Sequence, residues 1–132
     1  MTDRPRVLVA DDHRAMLDTL VRLLSSDCEV VGAVTDGLSV VTAAARLEPD
    51  LLVLDIAMPG LNGIAAASRI KQGGSRAKVV FVTNLHDREF VQESLALGDI
   101  GYVVKDRLVA DLLPAIRTVL AGQSFVSPSI AH

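Results

Sequence analysis

Five short blocks of aliphatic and β-branched residues alternate with longer stretches of helical spacing, and this alternation constrains the 132-residue chain more than any other feature. The blocks are RVLVA (Arg6–Ala10), EVVGAV (Glu29–Val34), LLVLD (Leu51–Asp55), KVVFVT (Lys78–Thr83) and GYVVK (Gly101–Lys105). Four of them are apolar at nearly every position, as expected of strands covered on both faces. EVVGAV is looser, with Gly32 and Ala33 inside it, and is expected at a sheet edge.

The intervening stretches repeat with the period of a helix. In HRAMLDTLVRLLSSD, residues Met16, Leu17, Leu20, Leu23 and Leu24 form one apolar stripe, while Arg14, Asp18 and Arg22 face water. DGLSVVTAAARLEP opens on a capping residue, Asp36, and stops at Pro49. NGIAAASRIKQGG, HDREFVQESLALG and LVADLLPAIRTVLAG each end in glycine, which suits a helix C-terminus. Pro114 lies inside the last of these. Proline in a helix interior costs ~3 kcal/mol, so this helix is expected to begin near Asp111 or to bend there.

Strands and helices in strict alternation, joined by short loops, imply a parallel sheet covered by helices on both faces. Right-handed crossovers narrow the topology to an α/β flavodoxin-like (βα)5 three-layer sandwich with five strands in the order 2-1-3-4-5. Composition excludes several function classes. Half the residues are hydrophobic and 22% are charged, a globular balance. The 13 basic residues are scattered, and the net charge is −3, so direct binding of nucleic acid is not expected. The single cysteine, Cys28, has no partner for an internal disulfide. No apolar run has the length of a membrane span or the form of a signal sequence, so a cytoplasmic protein without membrane contact is expected.

The polar residues that close the strands carry the chemistry. Asp11 and Asp12 follow the first block, Asp55 closes the third, Thr83 the fourth and Lys105 the fifth. In a parallel sheet these carboxyl ends share one edge, and ligands bind there beside the point where strand order reverses. That point separates strands one and three, so Asp11, Asp12 and Asp55 are expected to converge. Alone, Asp11 and Asp12 would read as a helix N-cap and its neighbour; convergence with Asp55 favours a metal site. Crowded carboxylates ionise at a cost that a hard divalent cation relieves, and Mg2+ takes carboxylate, carbonyl and water oxygens. A lysine ammonium and a threonine hydroxyl suit phosphoryl oxygens, and an aspartate is an accepted nucleophile for an acyl phosphate. His13 and His86, each just before a helix, read as exposed residues of capping regions.

The motifs ADD, LDIAMPGLNG (D-x-x-M-P-x-x-x-G), FVT and GYVVKD, each at a strand end and in this order, closely resemble the receiver domain of two-component response regulators. The resemblance places a receiver domain at residues 1–122 and a tail or linker start at residues 123–132, in which Phe125 and Val126 can tuck against the domain. It implies that Asp55 accepts a phosphoryl group from a sensor histidine kinase. It implies that Asp12 binds Mg2+ directly, Asp11 binds it through water and the Ala57 carbonyl completes the set. It further implies that Lys105 neutralises the transferred group, that Thr83 moves toward it afterwards, and that Tyr102 swings inward as an aromatic switch. A homodimer is left open, and the chain is expected to act as a phosphoacceptor rather than as a turnover enzyme.

Two further features, Lys105-Asp106 and the ending AIRTVLAGQSFVSP, resemble the subfamily that usually carries a C-terminal LuxR-type helix-turn-helix. The resemblance therefore implies control of transcription through a DNA-binding domain outside this chain. Asn84 stands where the family usually has a small residue and leaves open a pseudo-receiver that binds proteins without phosphorylation. Ala57 and Leu85 are apolar where the family tunes attack by water, which implies a long-lived phosphorylated form.

Overall fold

The computed structural model describes residues 4–128. Six parallel strands form one sheet: β1 (Arg6–Ala10), β2 (Glu29–Val34), β3 (Leu51–Leu54), β4 (Lys78–Thr83), β5 (Ile100–Val104) and β6 (Phe125–Val126). Their spatial order is β2-β1-β3-β4-β5-β6. The helices are α1 (Arg14–Leu24), α2 (Gly37–Leu47), α3 (Gly63–Gln72), α4 (Arg88–Leu95) and α5 (Leu108–Leu120).

Side chains alternate across each strand and divide the interior into two cores. Leu8, Ala10, Leu52, Leu54, Phe81 and Tyr102 pack beneath α2, α3 and α4. Val7, Val9, Val53, Val80, Val82 and Val103 pack beneath α1 and α5. The expected three-layer sandwich is thus present, and β2 is an edge strand whose residues are only half-buried or exposed.

Two expectations are corrected. The sheet has six strands rather than five, because Phe125 and Val126, assigned to the tail, pair with Gly101 and Tyr102. The last helix starts at Leu108, three residues before Asp111, after a 3-10 turn over Lys105–Arg107. Pro114 lies within it, and the carbonyl deprived of its usual donor belongs to exposed Ala110, where water is available as a partner.

The expected cap of α2 is in place. Asp36 accepts from the Ser39 N–H at 2.8 Å, and that bond holds its carboxyl below the usual range. Cys28 is buried, and its burial pushes the thiol pKa up, as suits an inert core residue.

Candidate functional site

Backbone pairing at the carboxyl edge sets the position of each acid. The Asp11 N–H extends the β1–β2 ladder by bonding the Val34 carbonyl at 3.2 Å, and the Asp55 N–H extends the β1–β3 ladder by bonding Ala10 at 3.0 Å. Both aspartates are buried, Asp11 fully. Asp12, the next residue on an extended chain, faces the other way and is exposed.

Lys105 reaches across from the end of β5. Its ammonium lies 2.8 Å from Asp11 Oδ2 and donates to Asp55 Oδ2 at 3.0 Å, while only 8% of its side chain is exposed. Burial pulls the lysine pKa down, but the two carboxylates more than reverse this, and the net shift is upward. Asp55 is shifted upward as well. Burial is the main cause, Asp11 adds to it, and the hydrogen bonds from Lys105 and Thr83 only partly offset it.

A glycine fixes the loop that follows Asp55. A Cβ on Gly63 would stand 2.1 Å from the Asp55 carbonyl oxygen, so the first turn of α3 can press against Asp55 only without a side chain. The Gly63 N–H bonds the Ile56 carbonyl at 2.8 Å and closes the loop from the other side. Met58 packs inward within it. Ala57 donates its N–H to Asp55 Oδ1 at 3.3 Å.

Thr83 and Tyr102 meet through one residue. Thr83 is fully buried, and its Oγ1 accepts the Leu85 N–H at 3.2 Å. Tyr102 is also fully buried and donates its hydroxyl to the Leu85 carbonyl at 2.9 Å. Burial, with Asp87 and Asp55 adding to it, pushes the phenol pKa up to about 12, so it remains a donor. A surface role for this hydroxyl is thereby excluded. Asn84, between Thr83 and Leu85, is exposed.

The acidic group is composed differently from the expected Asp11, Asp12 and Asp55. Among the described residues, ligand atoms of Asp11, Asp12 and His13 lie within 4.8 Å of one another. Asp55 stands outside that group and joins it through Lys105. His13, expected only as an exposed residue of a capping region, occupies the N-cap position of α1 without a side-chain capping bond and places Nδ1 3.3 Å from Asp12 Oδ1 and 3.7 Å from Asp11 Oδ1.

Comparisons with known proteins show the family. Residues 7–117 match the response regulator receiver domain. The chain belongs to the response regulator receiver family. It is 36% identical over 129 residues to the response regulator GacA of Pseudomonas viridiflava, covering 96% of this chain and 60% of that protein. It is 30% identical to the oxygen regulatory protein NreC of Staphylococcus carnosus, covering 95% of this chain and 59% of that one. The chain thus spans about three fifths of the curated relatives it matches.

Among solved structures, a LuxR-family two-component response regulator from Aurantimonas sp. SI85-9A1 superposes with a TM-score of 0.91 at 30% identity, covering 98% of this chain and 94% of that one. The receiver domain of NarL from Mycobacterium tuberculosis gives 0.86 at 27% identity, covering 92% of this chain and 100% of that one. This is a receiver domain of the LuxR/NarL type. Among its described residues, no helix is long and apolar enough to cross a membrane.

Proposed function

We propose that the chain accepts a phosphoryl group on Asp55 in a reaction that depends on a divalent cation, with a sensor kinase phosphohistidine as donor. The observation that carries this reading is the arrangement of Lys105 against both Asp11 and Asp55 in a largely buried pocket at the switch point of the sheet. A carboxylate oxygen of Asp55 attacks phosphorus, the bond from phosphorus to the donor nitrogen breaks, and the donor imidazole leaves with that electron pair. Lys105 moves from holding two carboxylates to holding the charge spread over the phosphoryl oxygens.

The donor set fits Mg2+. Asp11 and Asp55 bring two carboxylates against one ammonium, and the Asp12 carboxylate stands beside Asp11, so negative charge is in excess. Asp11 Oδ2 is buried without a directed hydrogen bond, despite its proximity to the ammonium. Asp11 and Asp12, with the Ala57 carbonyl, would hold the ion, whose contribution when bound is to neutralise charge on the acceptor and the transferred group.

The consequence for the domain is a shift of population around Leu85. A phosphoryl oxygen on Asp55 accepts the Thr83 O–H and draws the side chain toward it, which stretches the bond in which Oγ1 accepts the Leu85 N–H and so biases the Tyr102 contact on the same residue. The chain acts as an acceptor and not as a turnover enzyme. Its output is transcription control through a DNA-binding segment of the kind that LuxR-type regulators carry, with a second copy of the chain as a further partner. Incubation with acetyl phosphate and Mg2+, followed by intact mass, tests the reading. One phosphoryl group is expected on the wild type and none on Asp55→Asn; a wild type that gains no mass from acetyl phosphate or from a kinase overturns it.

A further inference from the structure

The outer edge of β5 is closed by side chains as much as by backbone. The Ile100 N–H donates to Ser124 Oγ at 3.2 Å and the Val104 N–H to Ser127 Oγ at 3.1 Å, flanking the short pairing with β6. Ser127 is fully buried and makes two more bonds. Its N–H donates to the Tyr102 carbonyl at 2.8 Å, and its hydroxyl donates to Asp111 Oδ2 at 2.7 Å.

Asp111 is itself a buried acid with no part in the proposed chemistry. Arg107 holds it through two bonds, Nε at 2.8 Å and Nη2 at 3.1 Å. Arg107 and Ser127 both lower its carboxyl pKa, Arg107 first. This connected set spans the residues on either side of Lys105: Val104 before it and Arg107, in the same 3-10 turn, after it.

We infer that Ser127 is a positioning residue for Lys105: bonded to Val104 and, through Asp111, to Arg107, it fixes the strand end from which the lysine projects between Asp11 and Asp55. The inference rests on the proposed role of Lys105, but the positional claim is measurable by itself. Every bond in the chain Val104–Ser127–Asp111–Arg107 is 3.1 Å or less and at least part-buried, so little slack separates Ser127 from the backbone of Lys105. Ser127 also lies on the segment leading out of the receiver, so docking of residues 124–127 and the geometry at Asp55 are linked. By reciprocity, whatever undocks the strand weakens phosphoryl binding, and phosphoryl binding favours the docked strand.

The test compares wild type and Ser127→Ala by reductive methylation, with each lysine followed by peptide mass spectrometry and exposed Lys71 and half-buried Lys78 as internal references. Lys105 is expected to react roughly fivefold faster in the variant, the population change of one lost buried hydrogen bond, with the references unmoved. Unchanged Lys105 reactivity overturns the inference, as does an equal rise at all three lysines, which would report general loosening. Should Ser127→Ala fail to fold, Ser127→Cys keeps nearly the volume while weakening both side-chain bonds, and is read the same way.

Phosphorylation by acetyl phosphate at saturating Mg2+ then separates the two claims. The variant is expected to react more slowly than wild type, because the lysine that faces Asp11 and Asp55 is no longer held in place. A wild type that takes no phosphoryl group defeats the functional reading, and the labelling still decides the position of Lys105.

Discussion

Asp11 and Asp12 are chemically identical neighbours with different work, because the extended backbone turns one into the sheet edge and the other out to solvent. Asp11 is committed to Lys105 and to the His13 N–H, which it accepts at 2.8 Å. Asp12 is exposed, faces the His13 ring at 3.3 Å, and is the freer of the two to hold a cation. Asp12→Ala is therefore expected to weaken Mg2+ binding more than Asp11→Ala, measured by titration calorimetry; the reverse order contradicts this division. Leu85 offers no polar side chain with which to orient water beside the acceptor. Leu85→Gln is expected to speed phosphate release from the phosphorylated protein several-fold, followed by loss of the mass adduct with time, and an unchanged rate removes the explanation.

Which residues meet at the site was legible from one rule, that polar residues closing parallel strands share an edge, and Asp11, Asp55, Thr83 and Lys105 obey it. Contacts made by backbone atoms left no such mark. Nothing in the composition of Leu85 shows that its N–H takes Thr83 and its carbonyl takes Tyr102. The serine hydroxyls on the edge of β5 were hidden in the same way, since a serine in a polar tail ordinarily signals only solubility.

At the level of elements, the D-x-x-M-P-x-x-x-G spacing acquires a steric cause. Its glycine opens α3 where a side chain would collide with the Asp55 carbonyl, and the adjacent Asn62 caps that helix by accepting the Ala65 N–H at 2.8 Å. Gly63→Ala is expected to displace the acceptor and cost about 1–3 kcal/mol, as overpacking does, read from urea unfolding. The same variant is expected to lose most phosphoryl uptake even where it stays folded. A variant with wild-type stability and uptake would show that the contact relaxes without moving Asp55.

The start of α5 and the strand β6 were misjudged for one reason. Local propensity speaks against helix next to Pro114 and against strand in a tail, whereas tertiary bonds decide both. Arg107 and Asp111 tie the first turn of α5, and Ser127 ties β6 to Asp111.

For the molecule as a whole, two buried aspartates respond to pH with opposite signs. Asp111, held low by Arg107, contributes stability above the unfolded carboxyl pKa of 3.8 and loses it as pH falls through its folded value. Asp55 is raised above 3.8, so in acid it is protonated in both states and contributes nothing. As pH rises the unfolded chain releases this proton first, and above the folded pKa the full penalty of the buried charge remains. Asp55→Asn is therefore expected to melt several degrees higher than wild type at pH 7 without metal, with the gap closing below pH 3.8. A lower melting temperature at pH 7 would contradict the sign. An unfavourable carboxylate at the switch point fits the proposed organisation around a cation and a phosphoryl group rather than around stability.

The most direct test of that organisation is chemical location of the phosphoryl group. After reaction with acetyl phosphate and Mg2+, borohydride reduction converts an aspartyl phosphate to homoserine, which peptide mass spectrometry locates. The account predicts conversion at position 55 alone, dependent on Mg2+ and greatly reduced in Lys105→Met. Conversion at another acid, or efficient conversion at position 55 without Mg2+ and without Lys105, would contradict it.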